Sequence, residues 1–445
     1  MKNLKMKKSK AVIAAVLIGI MALTGCSAAA GVSGGTTASA ETTTASAETT
    51  AASASKNTSG NENAAETTTA GTAVTNVSGS ALETADMFTD RDLEQTPDLT
   101  SAVTYTVKDG EDITITEAGV YVLTGSATDV TVYVDADDEA KVQIVLDGVN
   151  ITNTDAPVIY VKNADKTFVT TTADSTLAVT GTFTADGDTN TDGVIFSKDD
   201  LVLNGTATLT VNSSDNGVVS KDTLKVTGGT YVMKTSSKAL EANDEILIAD
   251  GTFTLTAGTD AIHAENDDDD SLGHVYIAGG TFTLTVGDDA VHANSILQID
   301  GGSFTIKAAE GLEATYIQIN GGTIAIEASD DGINAANKSN AYNVKLEING
   351  GDITVVMGAG DTDGLDANGD IVINGGSVNV TANSPFDYDG TGVINGGTVI
   401  ANGQQVTSLG NQMMGGPGGN NGGFGGPGGN NGGFGGNGGH GGPRR

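Results

Sequence analysis

Between residues 101 and 409, apolar and polar residues alternate with a period of two, in short runs that end at glycine. That period belongs to strands rather than helices. The segment ILIADGTFTLTAG (246–258) holds two such runs bent at Asp250-Gly251. Successive strand side chains alternate between faces, so Phe253 and Leu255 are predicted to point inward while Thr252, Thr254 and Thr256 point out. The unit returns as LKVTGGTYVMK (224–234), VYIAGGTFTLTVG (275–287), LQIDGGSFTIKA (297–308), IQINGGTIAIEA (317–328), LEINGGDITVV (346–356) and IVINGGSVNV (371–380). The residue after the glycine corner falls at Thr206, Thr230, Thr252, Thr281, Ser303, Thr323, Asp352, Ser377 and Thr398, in steps of 20 to 29 residues. A motif recurring at such a period means a stacked array, in which each unit covers the next one's apolar face.

Helical repeats would place apolar residues at i, i+3 and i+4, and leucine-rich repeats would show L-x-x-L-x-L; neither pattern occurs. Two strands per unit, bent at glycine, predict an all-β chain forming one parallel β-helix of about a dozen rungs. Only Pro157 and Pro385 interrupt the body, as a continuous ladder requires. Unit length grows after residue 265 and after residue 335, which predicts two loops leaving the same corner. Upstream of residue 181 the repeat is blurred, but segments such as VQIVLDGVNITNT (142–154) still read as strands.

The ends differ from the body. Residues 1–25 carry five lysines, then the apolar run AVIAAVLIGIMAL, and lead to Leu23-Thr24-Gly25-Cys26. This is a secretory signal, and its end resembles a bacterial lipoprotein signal in which Cys26 takes the lipid. Cys26 is the chain's single cysteine, so it has no disulfide partner. The expected location is the outer face of a bacterial membrane, with the lipid on Cys26 as anchor. Residues 26–85 are dominated by Ala, Thr, Ser and Gly and are expected to form a disordered stalk, leaving 86–409 for the β-helix. Residues 410–445, built on GGPGGNNGGFGG, are expected to be a flexible tail.

Charge narrows the partners. The chain has 21 Lys+Arg against 56 Asp+Glu, and loss of the leader's five lysines deepens the net charge from −35 to −40. No positive field remains to gather phosphates, which excludes a nucleic-acid binder of the basic kind. Nothing in the sequence calls for an oligomer, and a monomer is expected.

Much of the acid is patterned. After each outward threonine strand the chain reads DNGVVS (215–220), SKALEA (237–242), TDAIHA (259–264), DDAVHA (288–293), AEGLEA (309–314), DDGINA (330–335) and TDGLDA (362–367). Aligned, these give one column of Asp260, Asp289, Glu310, Asp331 and Asp363. Three residues on, a second column runs through Glu241, His263, His292, Glu313, Asn334 and Asp366. Asp288 and Asp330 add carboxylates beside the first. Equivalent positions on stacked rungs lie about 4.8 Å apart, where two carboxylates repel by roughly 1 kcal/mol in water and several-fold more when shielded. Such a column must be protonated or filled with cations. Oxygen-only ligands point to Ca²⁺, with Glu241, Asp260, Asp288, Asp289, Glu310, Glu313, Asp330, Asp331, Asp363 and Asp366 as candidate ligands. The competing reading is that Asp before Gly merely forms turns; Glu at 241, 310 and 313 argues against it. His263 and His292 are read as stacked corner residues, and the Asp267–Asp270 run as a solvated loop tip.

The stretches IFSKDDLVLNGTATLTV (195–211), NGVVSKDTLKVTGGTYV (216–232) and ALEANDEILIADGTFTLTAG (239–258) resemble a bacterial cell-surface β-helix family that binds carbohydrate. AGVYVLTGSATDVTVYVDA (118–136) and VQIVLDGVNITNTDAPVIYVKNAD (142–165) are similar to its opening rungs. The resemblance covers about residues 100–400 and implies a right-handed β-helix related in shape to pectin lyases. It also implies bound calcium at the acidic turns around Asp260, Asp289, Asp331 and Asp363, and binding of cellulose or acidic pectic sugars.

Three functions are compatible with this pattern. A non-catalytic binder of acidic polysaccharide fits best, with Ca²⁺ bridging two negative partners. The chain has no Trp to stack on neutral sugars, and its nine tyrosines look scattered. A polysaccharide lyase would need a Lys or Arg base near the calcium. Arg91, Arg444 and Arg445 lie outside the repeats, which leaves Lys238, itself a natural counter-ion of Glu241. A structural adhesin or an ice-binding array is suggested by the outward threonines, but Lys307, Glu327 and Val355 are read as breaking that array.

Overall fold

The structure, a computed structural model, describes residues 79–360 and 362–410. The expected leader, Cys26, most of the stalk and the glycine-rich tail lie outside these residues. The described chain is all strand and turn, coiled into a parallel β-helix as the alternation predicts. One rung consists of Leu240–Ala242, Glu245–Ile248 and Thr252–Ala257. The next consists of Ile262–Ala264, His274–Ile277 and Thr281–Val286. The two pair residue by residue: Glu241 with His263, Leu247 with Tyr276, Thr254 with Thr283. First and second strands of the rungs merge into a 23-stranded sheet, and third strands form a 13-stranded one. In two rungs the first two strands are continuous, as Asp289–Ile299 and Glu310–Ile319. The last pair, Thr398–Ala401 with Gln404–Val406, is antiparallel and closes the exposed end of the ladder.

The inward positions stack in kind. Phe253, Phe282 and Phe304 lie with ring centroids 4.6 and 4.4 Å apart and nearly parallel planes. Each is almost wholly buried, worth about 2–3 kcal/mol per side chain in transfer terms. Register alone produces this, because a motif repeated in phase puts like on like. The outward positions Thr252, Thr254 and Thr256 are exposed. One expectation is corrected here: Val355 is fully buried, and it is Val356, 42% exposed, that stands in the outward row with Lys307 and Glu327.

Glycine at the corner between second and third strands is required by crowding as well as by conformation. Gly302 has φ of 101°, and a Cβ there would lie 3.1 Å from the carbonyl oxygen of Gly280 on the rung before. The same corner carries an asparagine ladder. The Asn349 Nδ2 donates to Asn320 Oδ1, Asn374 to Asn349 and Asn395 to Asn374, each at 2.8 Å.

The two long loops leave the same corner as expected, and they meet. The Asn340 Nδ2 donates to Asp270 Oδ2 (2.9 Å) and the Tyr342 hydroxyl to the Ser271 carbonyl (3.1 Å). A third insertion, residues 181–192, precedes Gly193–Ser197 and was not foreseen.

Residues 79–85, the last part of the expected stalk, lie against the helix. The Gln318 Nε2 donates to the Gly79 carbonyl, and the amides of Ala81 and Leu82 donate to Gln318 and Gln298. The segment continues along the axis: Phe88 packs on Tyr276, and the Asn204 Nδ2 donates to the Glu94 carbonyl. Asp92 is fully buried between the ammonium groups of Lys166 and Lys225, each 3.4 Å away.

Candidate functional site

Both acidic columns form in register on the first strands of the rungs. Asp289 faces Glu310, and Asp331 faces Asp363. Lys238, one rung before Asp260, takes the place where the column is broken; its backbone amide donates to Asn216 Oδ1 at 2.9 Å. In the second column Glu241, His263, His292, Glu313, Asn334 and Asp366 follow one another, and Asp387 continues it. Asp387 was missed, although SPFDY (384–388) carries the same three-residue spacing. Asp288 and Asp330 sit at the corner with exposed side chains, apart from the partly buried groups.

The structure divides these residues electrically. In the first half the acids have Lys or His partners of their own. Glu241 lies 3.4 Å from Lys221 and 3.9 Å from Lys238, and accepts from Asn216 Nδ2 at 3.0 Å. His263 reaches Asp260 (2.8 Å) and Glu265 (3.2 Å). His292 Nδ1 sits between Asp289 (2.8 Å) and Glu313 (2.9 Å), and Lys338 pairs with Glu313 at 2.8 Å. The two imidazoles are stacked 4.5 Å apart, as expected for corner residues. Burial favours the neutral form of His292, but hydrogen bonds to Asp289 and Glu313 outweigh it and hold the ring protonated, up to about 9. Glu313 is held down at about 2: burial opposes this, and His292 and Lys338 overcome it. Asp289, His292 and Glu313 bring ligand-type atoms within 4.8 Å of one another, yet a proton and a lysine already balance that group.

The second half has no such balance. Among the described residues, no Lys, Arg or His lies within 4.0 Å of the carboxylates of Glu310, Asp331, Asp363 or Asp366. Burial, followed by the charge of Glu313, pushes Glu310 up to about 8. Burial and then Asp366, Asp330 and Asp363 push Asp331 up to about 7. Asp366 rises to about 6 through burial, Asp363 and Asp387. Between them stands Asn334, 8% exposed. Its Nδ2 donates to Glu310 Oε2 at 3.0 Å, while its buried Oδ1 accepts nothing. Glu310, Asp331, Asp363 and Asp366 are oxygen donors of the kind a hard divalent cation such as Ca²⁺ takes, but they are spread over three successive rungs, and among the described residues no three of them bring ligand atoms within 4.8 Å of one another. The oxygen donors left without a Lys or His partner here are those of Glu310, Asp331, Asn334, Asp363 and Asp366. Glu241, Asp260, Asp289 and Glu313 are engaged by Lys and His.

Two further features escaped the sequence. Lys338 comes from the loop after residue 335 and folds back onto Glu313, a contact that no local pattern announces. The tyrosines are not all scattered: Tyr133 and Tyr160 stand on adjacent rungs beside Phe196.

A family described as carbohydrate-binding domain-containing protein matches residues 109–361 and 312–407. A carbohydrate-binding domain-containing protein of Acetivibrio thermocellus is 34% identical over 128 residues, which is 28% of this chain. The match spans 45% of that relative's length. A solved structure of a polysaccharide lyase-like protein from C. thermocellum, a gadolinium derivative, is similar over 67% of this chain and 94% of its own. Its TM-score is 0.38, at 24% identity.

Proposed function

The chain belongs to the family of carbohydrate-binding domain-containing proteins, and from that premise we propose that it is a non-catalytic, calcium-dependent binder of acidic wall polysaccharide. Pectic polyuronates are the substrate class, with cellulose a further candidate, and the lipid on Cys26 holds the protein at the outer face of a bacterial membrane. The observation that carries the reading is the run of Glu310, Asp331, Asp363 and Asp366 on three successive rungs with no Lys or His beside it, and with the orphaned Asn334 Oδ1 on the middle rung. These groups would hold the ion, which supplies open coordination positions to sugar carboxylates. The chain's own part is to keep the oxygens in register on a stiff ladder, so that little ordering is needed on binding. A protein of net charge −35 otherwise repels a polyuronate.

The geometry does not favour a lyase. Lys238 has its ammonium 3.9 Å from Glu241, the counter-ion arrangement. Lys338, opposed by burial but held by Glu313, is shifted upward, away from the neutral form a base requires.

Calorimetric titration with oligogalacturonate, with calcium and then with excess chelator, tests the reading. Binding is expected in calcium and should weaken at least tenfold on chelation, with no unsaturated product absorbing in the ultraviolet. Equal binding in both conditions would refute the calcium dependence, and product formation would restore the lyase.

A further inference from the structure

The face that carries the acidic columns changes sign toward the N-terminal rungs. Ser197 pairs with Val161 on one side and Ser220 on the other, so the residues that follow, Lys162, Lys198 and Lys221, occupy one position on three successive rungs. The amides confirm the stacking: Lys198 N donates to the Val161 carbonyl (3.0 Å) and Lys221 N to the Ser197 carbonyl (2.8 Å). Equivalent positions on successive rungs lie about 4.8 Å apart, so three lysines stacked there repel one another as the carboxylates do. Only 21 Lys and Arg serve 445 residues, so a basic ladder here stands out from the composition.

The lysines are held over aromatic rings. Two residues before them, Tyr160 and Phe196 stack in the outward column with Tyr133 before and Val219 after, forming a small apolar cluster outside the main core. The Lys162 Nζ lies 4.8 Å from the Tyr133 ring centroid and 4.9 Å from that of Tyr160. Lys198 lies 5.8 Å over Tyr160, and Lys221 lies 5.9 Å over Phe196. Rings under the ammonium groups limit their motion and so reduce the ordering needed to meet an anion.

A carboxylate already occupies the ladder. The insertion 181–192 turns back at Asp186, whose amide and carbonyl pair with Thr189. The Asp186 side chain lies 3.0 Å from Lys162 Nζ and accepts from the Tyr160 hydroxyl at 3.1 Å. It does so at the surface, with half its side chain exposed and the neighbouring residues of the turn open to water. At the far end Lys221 meets Glu241, the first acid of the second column, one rung after Val219. Lysine ladder and second acidic column therefore meet at Lys221 and Glu241 along the axis.

We propose that Lys162, Lys198 and Lys221, backed by Tyr133, Tyr160 and Phe196, form a metal-independent subsite for the carboxylates of an acidic polysaccharide, with Asp186 as the built-in occupant that a sugar carboxylate displaces. This rests on the acidic-polysaccharide reading above and adds a second mode of contact to it. Carboxylates repeat along a polyuronate as the lysines repeat along the ladder, so one chain lying along the axis meets direct ammonium contacts at one end and cation-bridged contacts at the other. A neutral glycan gains nothing from the ladder.

Calorimetric titration of the whole protein with trigalacturonate in excess chelator, beside the corresponding neutral trisaccharide, tests the subsite. Wild type should bind the acidic trimer and not the neutral one. Lys162→Gln/Lys198→Gln should lose at least tenfold in affinity, and Asp186→Asn should gain severalfold by vacating the lysines. All three side chains are at the surface, and unchanged melting temperatures would verify that the variants fold. No binding of the acidic trimer by wild type in chelator, or equal binding by wild type and the double lysine variant, would overturn the subsite. Neither outcome touches the calcium reading, which fails separately if calcium adds nothing to the affinity of wild type.

Discussion

Asp331→Asn should stabilise the metal-free protein while weakening its response to calcium. Asp331 lies in register with Asp363, and the charges of Asp366, Asp330 and Asp363 act on it. Its displacement from 3.8 to about 7 means that the folded state resists its ionisation. The sign follows from linkage. Between pH 4 and 7 the folded protein binds this proton more tightly than the unfolded chain, so stability falls as pH rises through that window and then levels off. At about 1.4 kcal/mol per pH unit, the ceiling of that loss is about 4 kcal/mol. Asp331 is only partly buried, and solvent screening reduces the expected effect to about 1–2 kcal/mol. The amide keeps the volume and can still accept the Asp363 N–H that now reaches Asp331 Oδ1 at 3.4 Å. Thermal melts in chelator at pH 8 should therefore show the variant higher by about 2–4 °C, with the difference vanishing near pH 4. In calcium the order should reverse, because an ion at a hundred times its dissociation constant adds about 2.7 kcal/mol to wild type and less to the variant. A variant that melts with or below wild type in chelator at pH 8, or gains as much from calcium, would show that the acids are not mutually repelling ligands.

Two other changes probe the frame. Asp92→Asn removes the anion between Lys166 and Lys225 and should cost about 3 kcal/mol, seen as faster amide exchange across residues 79–99. Burial opposes ionisation of Asp92, but the Thr89 amide and the two lysines outweigh it and depress the carboxyl. Its contribution is therefore present above the unfolded value near 4 and lost as pH falls through the lower folded one, so protection factors, with the intrinsic pH dependence of exchange divided out, should fall at acid pH in wild type and stay flat in the variant. Gly302→Ala places a side chain at φ of 101° against the Gly280 carbonyl and should cost about 1–3 kcal/mol in denaturant melts; a neutral substitution would contradict the crowding argument.

The repeat was legible because a β-helix is nearly a one-dimensional object. Period-2 alternation set which side chains face in, the glycine spacing set the rungs, and stacking like on like then followed from register. For that reason the acidic columns could be aligned residue by residue before any coordinates, down to the interruption at Lys238. What local spacing could not supply was the charge environment of each column member. Lys338 reaches Glu313 from a loop, Asp186 reaches Lys162 from another, and residues 79–99 lie along rungs more than a hundred residues away. These contacts depend on where irregular segments fold back, and no periodicity encodes that. Of ten acids that look equivalent in sequence, four are thus paired with Lys or His, four are not, and Asp288 and Asp330 stand exposed at the corner. The chain's own pattern decided where carboxylates stack, and the tertiary structure decided which of them are left without a Lys or His beside them, because screening and pairing act through space rather than along the backbone.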